Sequence, residues 1–148
     1  MRNSLTGLIM GIVVVFLSMF VLPLYFIGCV QWRDDMNTVQ NSTRNFIDKV
    51  IDTRELSEDT VADFNLALAS CSSTFSYTIY HEEIVTNPNG GSTLTTWIYT
   101  DNMVDWNQGD FITVEVKQVS QNFFQRISSM MIGLIYANKS CTMSGMVR

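Results

Sequence analysis

The single histidine is where acid–base chemistry would be sought first, because imidazole is the commonest general base in enzymes. His81 is followed directly by Glu82 and Glu83. A metal site would need further ligands at a workable spacing, and none accompanies this triplet. Because exposed charges are common where a strand ends, we expect these three side chains to be solvated. The sequence therefore predicts no metal site and no cofactor.

Other kinds of catalytic chemistry also lack their usual residues. No serine, cysteine or aspartate has a recognisable catalytic neighbourhood, and there is no glycine-rich phosphate loop. With one histidine in the chain, most acid–base and nucleophilic schemes lose their usual base. We therefore expect a protein that is not an enzyme.

Three cysteines leave several chemistries open. A disulfide between Cys71 and Cys141 would close a long loop and stabilise the folded state by a few kcal/mol in the entropic model, whereas the alternative is two buried free thiols. We expect the disulfide. Cys29 ends the tetrapeptide Phe-Ile-Gly-Cys, which loosely resembles a lipoprotein cleavage box. Cys29 is thus either apolar filler or a site of lipid attachment.

Three aromatic residues, Trp97, Tyr99 and Trp106, cluster around a predicted hairpin and could form a binding patch. Large aromatic side chains also dominate protein cores. We expect at least two of the three to pack in the core, and the binding patch is the alternative.

An uncharged apolar run near the N-terminus predicts how the chain is held. Residues 8–28, LIMGIVVVFLSMFVLPLYFIG, contain no charged side chain. At 1.5 Å per residue, a helix of this length crosses the hydrocarbon core of a bilayer, which is about 30 Å thick. A cleaved signal peptide is the alternative, but its apolar region is about 7 to 15 residues long and ends at a small-x-small site that this run lacks. Tyr25 and Trp32 match an interfacial aromatic belt at one end of the run. We expect one span, with membrane lipid as its partner.

The orientation of the span is predicted from the cysteines rather than from the flanking charges. Arg2 precedes the span while Arg33, Arg44 and Lys49 follow it, so the positive-inside rule does not favour a cytoplasmic N-terminus. A pair of distant thiols suits an oxidising exterior. We therefore expect a single-pass protein of the cell membrane with its C-terminal domain outside.

Charge and length limit what that domain can do. The chain has 148 residues and a net charge of −5, and its lysines and arginines form no cluster. Nucleic acid is therefore excluded as a partner, because its phosphates require a concentrated positive face. The residues after the span suffice for one modest domain.

The span is predicted to continue as an amphipathic helix. Residues 30–56 contain neither glycine nor proline and place Met36, Val39, Phe46 and Val50 at helical spacing. The chain is accordingly divided into a membrane helix (1–29), its amphipathic continuation (30–56) and an extracellular α+β head domain (57–148).

The head domain is predicted to begin with a helix from Glu58 to about residue 70. Ser57 can cap this helix, and acidic residues occupy its first turn. Its expected core face comprises Val61, Phe64, Leu66 and Leu68.

Alternating apolar and polar residues then predict strands at 75–80, 94–100 and 112–117, and the turn sequence at 87–91 joins the first two as a hairpin. Residues 140–148 could add a last strand. Residues 121–136 have helical spacing, and the alternatives are a second span and a core helix packed on the sheet. The uncharged stretch after Arg126 is too short for a span, so we expect the core helix.

The order of these elements resembles a known group of proteins. The N-terminal helix leads into FIDKVIDTRELSEDTVADFNLALAS, then FSYTIYHEEI, then GDFITVEVKQV, and the chain ends in SGMVR. This order resembles the pilin-like, single-span proteins of Gram-positive bacteria that are encoded with tight-adherence (Tad) type pilus and related secretion machinery. The resemblance extends from about residue 36 to residue 147.

The resemblance implies a type IV pilin-like α+β fold. Its long N-terminal helix would be embedded in the membrane in its first half and would pack on a small antiparallel sheet in its second, with one or two further helices. Such subunits enter a filament or pseudopilus through the apolar helix, and the implied partners are other pilin-like subunits and the assembly machinery, in a homo- or hetero-oligomer. The residues expected to make these membrane and assembly contacts are Leu8, Ile9, Ile12, Val13, Val14, Phe16 and Phe20.

One feature departs from the pilin pattern. Type IV pilins carry a glycine at the processing site and a glutamate five residues beyond it. Counted from Gly7, that position is Ile12, and no acidic residue precedes Asp34. Cleavage by a prepilin peptidase and a role as the major subunit are therefore in doubt. We expect a minor pilin or pseudopilin-like structural subunit, and the alternative is a membrane-tethered binding domain that does not polymerise.

Overall fold

The computed structural model describes residues 2–87, 91–98, 106–132 and 139–148, with side chains outside 2–4, 84–87, 91–98, 128 and 131–132. These residues form three helices and four strands. In chain order the elements are α1 (Arg2–Thr53), α2 (Glu58–Ala69), β1 (Thr74–Asn87), β2 (Gly91–Ile98), β3 (Phe111–Ser120), α3 (Phe123–Ile132) and β4 (Ser140–Met146). The predicted layout, a long apolar N-terminal helix followed by a small antiparallel sheet and further helices, is confirmed at this level.

α1 is one uninterrupted helix of 52 residues that passes through Pro23. At 1.5 Å per residue it is about 78 Å long. Its second half buries a single stripe of side chains at three- and four-residue spacing, as the sequence pattern predicts. The members of this stripe are Asp35, Val39, Thr43, Phe46, Ile47 and Val50. The helix ends at Thr53, shortly before the predicted end, where Arg54 adopts a left-handed backbone conformation with φ 55°.

α2 begins and ends close to its predicted bounds. The backbone N–H of Thr60 donates to Ser57 Oγ at 3.2 Å, which is the expected cap. Phe64 and Leu68 are buried, and the Phe64 ring stacks on Phe46 of α1 at 4.7 Å. Leu66 was predicted for this core face and is instead 73 % exposed. The reason is geometric: two residues from Phe64 and two from Leu68, Leu66 lies on the opposite side of the helix.

The four strands form one antiparallel sheet in the order β2-β1-β3-β4. The predicted hairpin is confirmed, with Asn87 opposite Gly91, while its turn residues 88–90 lie outside the described residues. The predicted strands at 112–117 and 140–148 correspond to β3 and β4, which pair with each other. β2 starts earlier than predicted, and Tyr99 and Thr100 of the predicted strand lie outside the described residues.

The core lies between one face of the sheet and the second half of α1 with α2. Ile112, Val114 and Val116 of β3 are buried on this face, as predicted from their alternation. β4 approaches α1 closely through Gly145, where an added Cβ would stand 2.6 Å from Ile51 Cδ1. The sheet is thereby held against the part of α1 that follows the apolar run.

α3 does not pack on the sheet as predicted. It packs against α1, and its described link to the sheet is a hydrogen bond from Gln118 Nε2 to Gln125 Oε1 of 3.1 Å. The predicted helix extended to residue 136, and residues 133–136 lie outside the described part. The correction has a clear cause: helical spacing predicts an apolar face but does not say which element covers it.

Candidate functional site

The most extensive surface feature of the described chain is the bare apolar first half of α1. It contains a window with a mean hydropathy of 2.7 that no other part of the described chain covers. α1 is the one described helix long and apolar enough to cross a membrane. The seven side chains predicted to make membrane and assembly contacts are between 46 % and 62 % exposed, and they are Leu8, Ile9, Ile12, Val13, Val14, Phe16 and Phe20.

A helix that is apolar on every side requires apolar surroundings, because exposed apolar surface costs about 25 cal/mol per Å² in water. Lipid tails and the apolar helices of other subunits both meet this requirement. Gly7 and Gly11 are one helical turn apart, and an added Cβ at either would meet nothing within 4 Å. Small residues at this spacing allow a second helix backbone to approach closely.

The apolar run and the head domain meet at Gly28. This glycine is buried, and an added Cβ would stand 2.9 Å from the Cβ of Phe124 in α3. On the same side of α1, Val21, Leu24 and Tyr25 are half-buried. Coverage of α1 therefore begins within the apolar run itself, before the aromatic residue Trp32.

Trp32 lies one helical turn beyond Gly28, where the apolar run ends. The ammonium group of Lys139 lies over its ring, 4.2 Å from the ring centroid, and makes a cation–π contact. A tryptophan with a lysine is a common pair at the boundary between lipid and water, since each side chain has an apolar body and a polar tip. The contact also fixes the chain that leads into β4 to this level of α1.

A buried carboxylate follows at Asp35 and joins α1 to the head domain. It accepts three hydrogen bonds: from Ser72 N at 2.9 Å, from Ser72 Oγ at 2.7 Å and from Ser73 N at 3.1 Å. Asn122 Nδ2 in turn donates to Ser72 Oγ at 3.2 Å, which connects the start of α3 to the same network. Such charge-assisted bonds are stronger than neutral ones.

Sequence reasoning missed the role of Asp35. The available signal was its position four residues before Val39 on the apolar stripe, where a charged side chain needs buried partners. Its partners come from a segment more than thirty residues away, and sequence spacing alone does not name them.

The prediction that the side chains of His81, Glu82 and Glu83 are all solvated is wrong for His81. Its side chain is only 12 % exposed, and Nε2 lies 2.9 Å from Asp110 Oδ2. The same carboxylate oxygen accepts from Asn107 N at 2.9 Å, and the Trp106 ring lies 4.2 Å from the imidazole. His81 is largely shielded from solvent because it continues the inward alternation of Tyr77 and Ile79 along β1, opposite Ile112. Glu83 is exposed, as expected.

Hydrogen bonds next to His81 join the end of α1, the loop before β3 and the C-terminal residues of the head domain. Trp106 N donates to the carbonyl of Arg54 at 3.2 Å, just after α1 ends. Gly109 N donates to the carbonyl of Val147 at 2.9 Å, and Val147 N donates to that of Asp110 at 2.8 Å. The pair of His81 and Asp110 thus stabilises a junction of α1, the loop before β3 and the C-terminus.

The proposed aromatic patch loses one member. Trp106 is 3 % exposed and belongs to the core, so it offers no surface to a ligand. The side chain of Trp97 and all of Tyr99 lie outside the described residues. Trp106 packs in the core, as expected for at least two of the three. Whether a second member also packs there stays a prediction.

All three cysteines are free thiols, which differs from the expected disulfide. Cys141 in β4 lies opposite Val116 of β3, whose other neighbour is Tyr77 of β1, whereas Cys71 precedes β1 in the turn after α2. Cys71 therefore lies outside the sheet that contains Cys141. Partial burial raises the pKa of both thiols, and the charge of Asp35 raises that of Cys71 further. Cys29 is half-buried on α1, and its lipidation stays a prediction.

Among the residues that the structure describes, no group of three or more His, Cys, Asp or Glu side chains could hold a metal ion. Comparison with known proteins adds no identity: no protein-family model, curated protein or solved structure matches the chain.

Proposed function

We propose that this protein is a structural subunit, a minor pilin or pseudopilin-like protein, that is stored in the cell membrane by the apolar part of α1 and assembled into a filament through it. The observation that carries the proposal is the division of a single helix. From Arg2 to Thr53 it is continuous, yet its first part is bare on every side and its second part is packed against the sheet.

The apolar part of such a helix can be covered first by lipid and later by the helices of other subunits. In the membrane, lipid tails cover the bare apolar side chains. In a filament, the same side chains pack on the corresponding helices of other subunits, and Gly7 and Gly11 give a narrow strip for close approach. The head domain would lie outside the cell in both states, on the filament surface in the second.

The position of the first acidic residue supports a minor rather than a major subunit. Asp34 and Asp35 are the earliest acids in the chain. Asp35 is already engaged with Ser72 and Ser73 of its own head domain, so it is not available to register a neighbouring helix. Register between helices would then depend on the shape of the apolar surface.

The test uses the full-length protein in cells that assemble the filament. Val14→Asp places a charge at the centre of the bare surface, where Val14 is 61 % exposed. A charged side chain at that depth in a bilayer costs about 2.5 to 3.5 kcal/mol on insertion scales. We expect the variant to be lost from both the membrane fraction and the sheared surface material.

Leu66→Asp is the matched control, because Leu66 is also an exposed apolar residue, at 73 % against 61 % for Val14, but lies on α2. It should be recovered in both fractions at the wild-type level. Recovery of Val14→Asp in sheared filaments at the wild-type level would contradict the proposal. So would a wild-type protein that stays wholly in the membrane fraction, which is the behaviour of a tethered domain that does not polymerise.

A further inference from the structure

α3 begins at the membrane end of the head domain. Asn122, just before α3, is joined through Ser72 to Asp35, and Lys139, just before β4, lies over Trp32. Phe124 nevertheless contacts Gly28, which lies further toward the apolar run. At 1.5 Å per residue along α1, Gly28 is about 6 Å beyond Trp32 and about 10 Å beyond Asp35. α3 therefore starts beside the end of the apolar run, below the boundary that Trp32 marks.

The exposed face of α3 consists of two apolar side chains on either side of one basic side chain. Phe123 is 68 % exposed and Met130 is 88 % exposed, while Arg126 between them is also exposed. These three positions fall on one side of the helix, since they are three and four residues apart. Exposed apolar side chains flanking a basic residue are typical of helices that lie in a membrane interface, where the long basic side chain extends toward the headgroups.

The charge of this part of the chain fits the same surroundings. After Glu115 the sequence contains four basic residues and no acidic one, although the whole chain has a net charge of −5. The basic residues are Lys117, Arg126, Lys139 and Arg148. Arg126 and Lys139 flank the apolar part of this region, and basic groups near an anionic bilayer surface are attracted to it.

We propose that α3 lies in the membrane interface beside α1, with Phe123 and Met130 at the boundary of tails and headgroups and with Arg126 and Lys139 at lipid phosphates. This inference rests on the proposed function only in requiring that α1 be embedded in the membrane. α3 then forms a second contact of the head domain with lipid. It fixes the rotation of α1 in the bilayer and has to leave the lipid when the subunit enters a filament.

The experiment places the photo-crosslinker p-benzoylphenylalanine in the full-length protein in vesicles that contain an alkyne-tagged anionic phospholipid. The crosslinker replaces Phe123 or Met130 on α3, Leu66 on α2 as the water-exposed control, and Val14 as the membrane-embedded control. All four positions are exposed in the isolated chain, so the substitutions do not disturb the core. We expect lipid adducts at positions 123, 130 and 14, at several-fold higher yield than at position 66.

The outcomes separate this inference from the proposed function. Lipid adducts at position 14 with only background adducts at 123 and 130 would overturn the interfacial placement of α3 and leave the membrane span intact. Adducts at 123 and 130 to a second copy of the chain, without lipid adducts, would overturn it in favour of a contact between subunits. Background yield at position 14 would contradict the span itself, and the inference about α3 would fail with it.

Discussion

Gly28 lies directly against Phe124, and the absence of a side chain at Gly28 is what lets α3 approach α1. An added Cβ would stand 2.9 Å from the Cβ of Phe124 and 3.7 Å from its carbonyl carbon. Both neighbours are close to the backbone of α3, so a rotamer change cannot make room. The contact marks the level at which the bare helix becomes part of the head domain.

Gly28→Val is therefore expected to push α3 away from α1. Overpacking of this kind costs about 1 to 3 kcal/mol, and we expect the free energy of unfolding to fall by that amount. Urea unfolding in detergent micelles, followed by circular dichroism, measures the change. Gly11→Val is the matched control, because an added Cβ there meets nothing within 4 Å. Equal stability of the two variants would show that α3 does not depend on close contact at Gly28.

Asp35 is expected to contribute strongly to stability, although it lies next to an acid that contributes little. Asp35→Ala leaves the backbone N–H groups of Ser72 and Ser73 without their acceptor. Ser73 is buried, so the loss of its hydrogen bond costs about 1 to 3 kcal/mol, whereas the exposed Ser72 can bond to water instead. Asp34→Ala removes only an exposed carboxylate 3.9 Å from Arg33 and should change stability by less than about 0.5 kcal/mol. Thermal unfolding of both variants in micelles checks the contrast. Equal losses would mean that the Asp35 network contributes nothing beyond surface charge.

The sequence predicts the elements of this fold better than their contacts. The continuous helix, the cap at Ser57, the hairpin and the alternation in β3 follow from local spacing and composition, and the structure confirms them. The face of α3 was assigned to the wrong partner, because amphipathic spacing carries no information about the covering element.

Buried polar residues are the other part that local patterns do not predict. Asp35 lies on the buried stripe of α1 and His81 lies at an inward position of β1, although a carboxylate and an imidazole are residue types that local patterns predict to be solvated. Their partners, Ser72 and Asp110, are separated from them by tens of residues in sequence. Only the packed structure shows that these polar groups are satisfied, and hence why they are tolerated in the core.

The thiols are expected to be unbridged and slow to react. Since the pKa values of Cys71 and Cys141 are raised above the ordinary 9.0, few thiolates are present at neutral pH. Iodoacetamide at pH 8 should alkylate both several-fold more slowly in the folded protein than in urea, as peptide mass spectrometry would show. A mass loss of two hydrogens in protein purified without reductant would instead identify a disulfide.

The same thiols predict how stability changes with pH on the alkaline side. Well below pH 9 both cysteines are protonated in the folded and unfolded states and do not alter the balance. Above pH 9 the unfolded thiols ionise first, since their pKa is the lower one, so stability should fall as pH rises until the folded thiols also ionise. The double variant Cys71→Ala with Cys141→Ala should show a smaller decline above pH 9 than the wild type. An unchanged decline would assign it to other groups.

The pair of His81 and Asp110 is expected to be energetically coupled, because both side chains are almost fully buried and meet at 2.9 Å. Asp110→Ala removes the acceptor of two hydrogen bonds, from Asn107 N and from His81, and should lower the free energy of unfolding by about 1 to 3 kcal/mol. His81→Ala should cost a similar amount, since it also leaves Asp110 without one partner and removes the ring packed on Trp106. In a double-mutant cycle the two losses should not add, with a coupling energy of about 0.5 to 3 kcal/mol.

Glu83→Ala, at an exposed position on the same strand, is the control and should be neutral. Strict additivity of the two buried variants would show that the imidazole and the carboxylate stabilise the junction independently, and that the burial of His81 is due to packing alone.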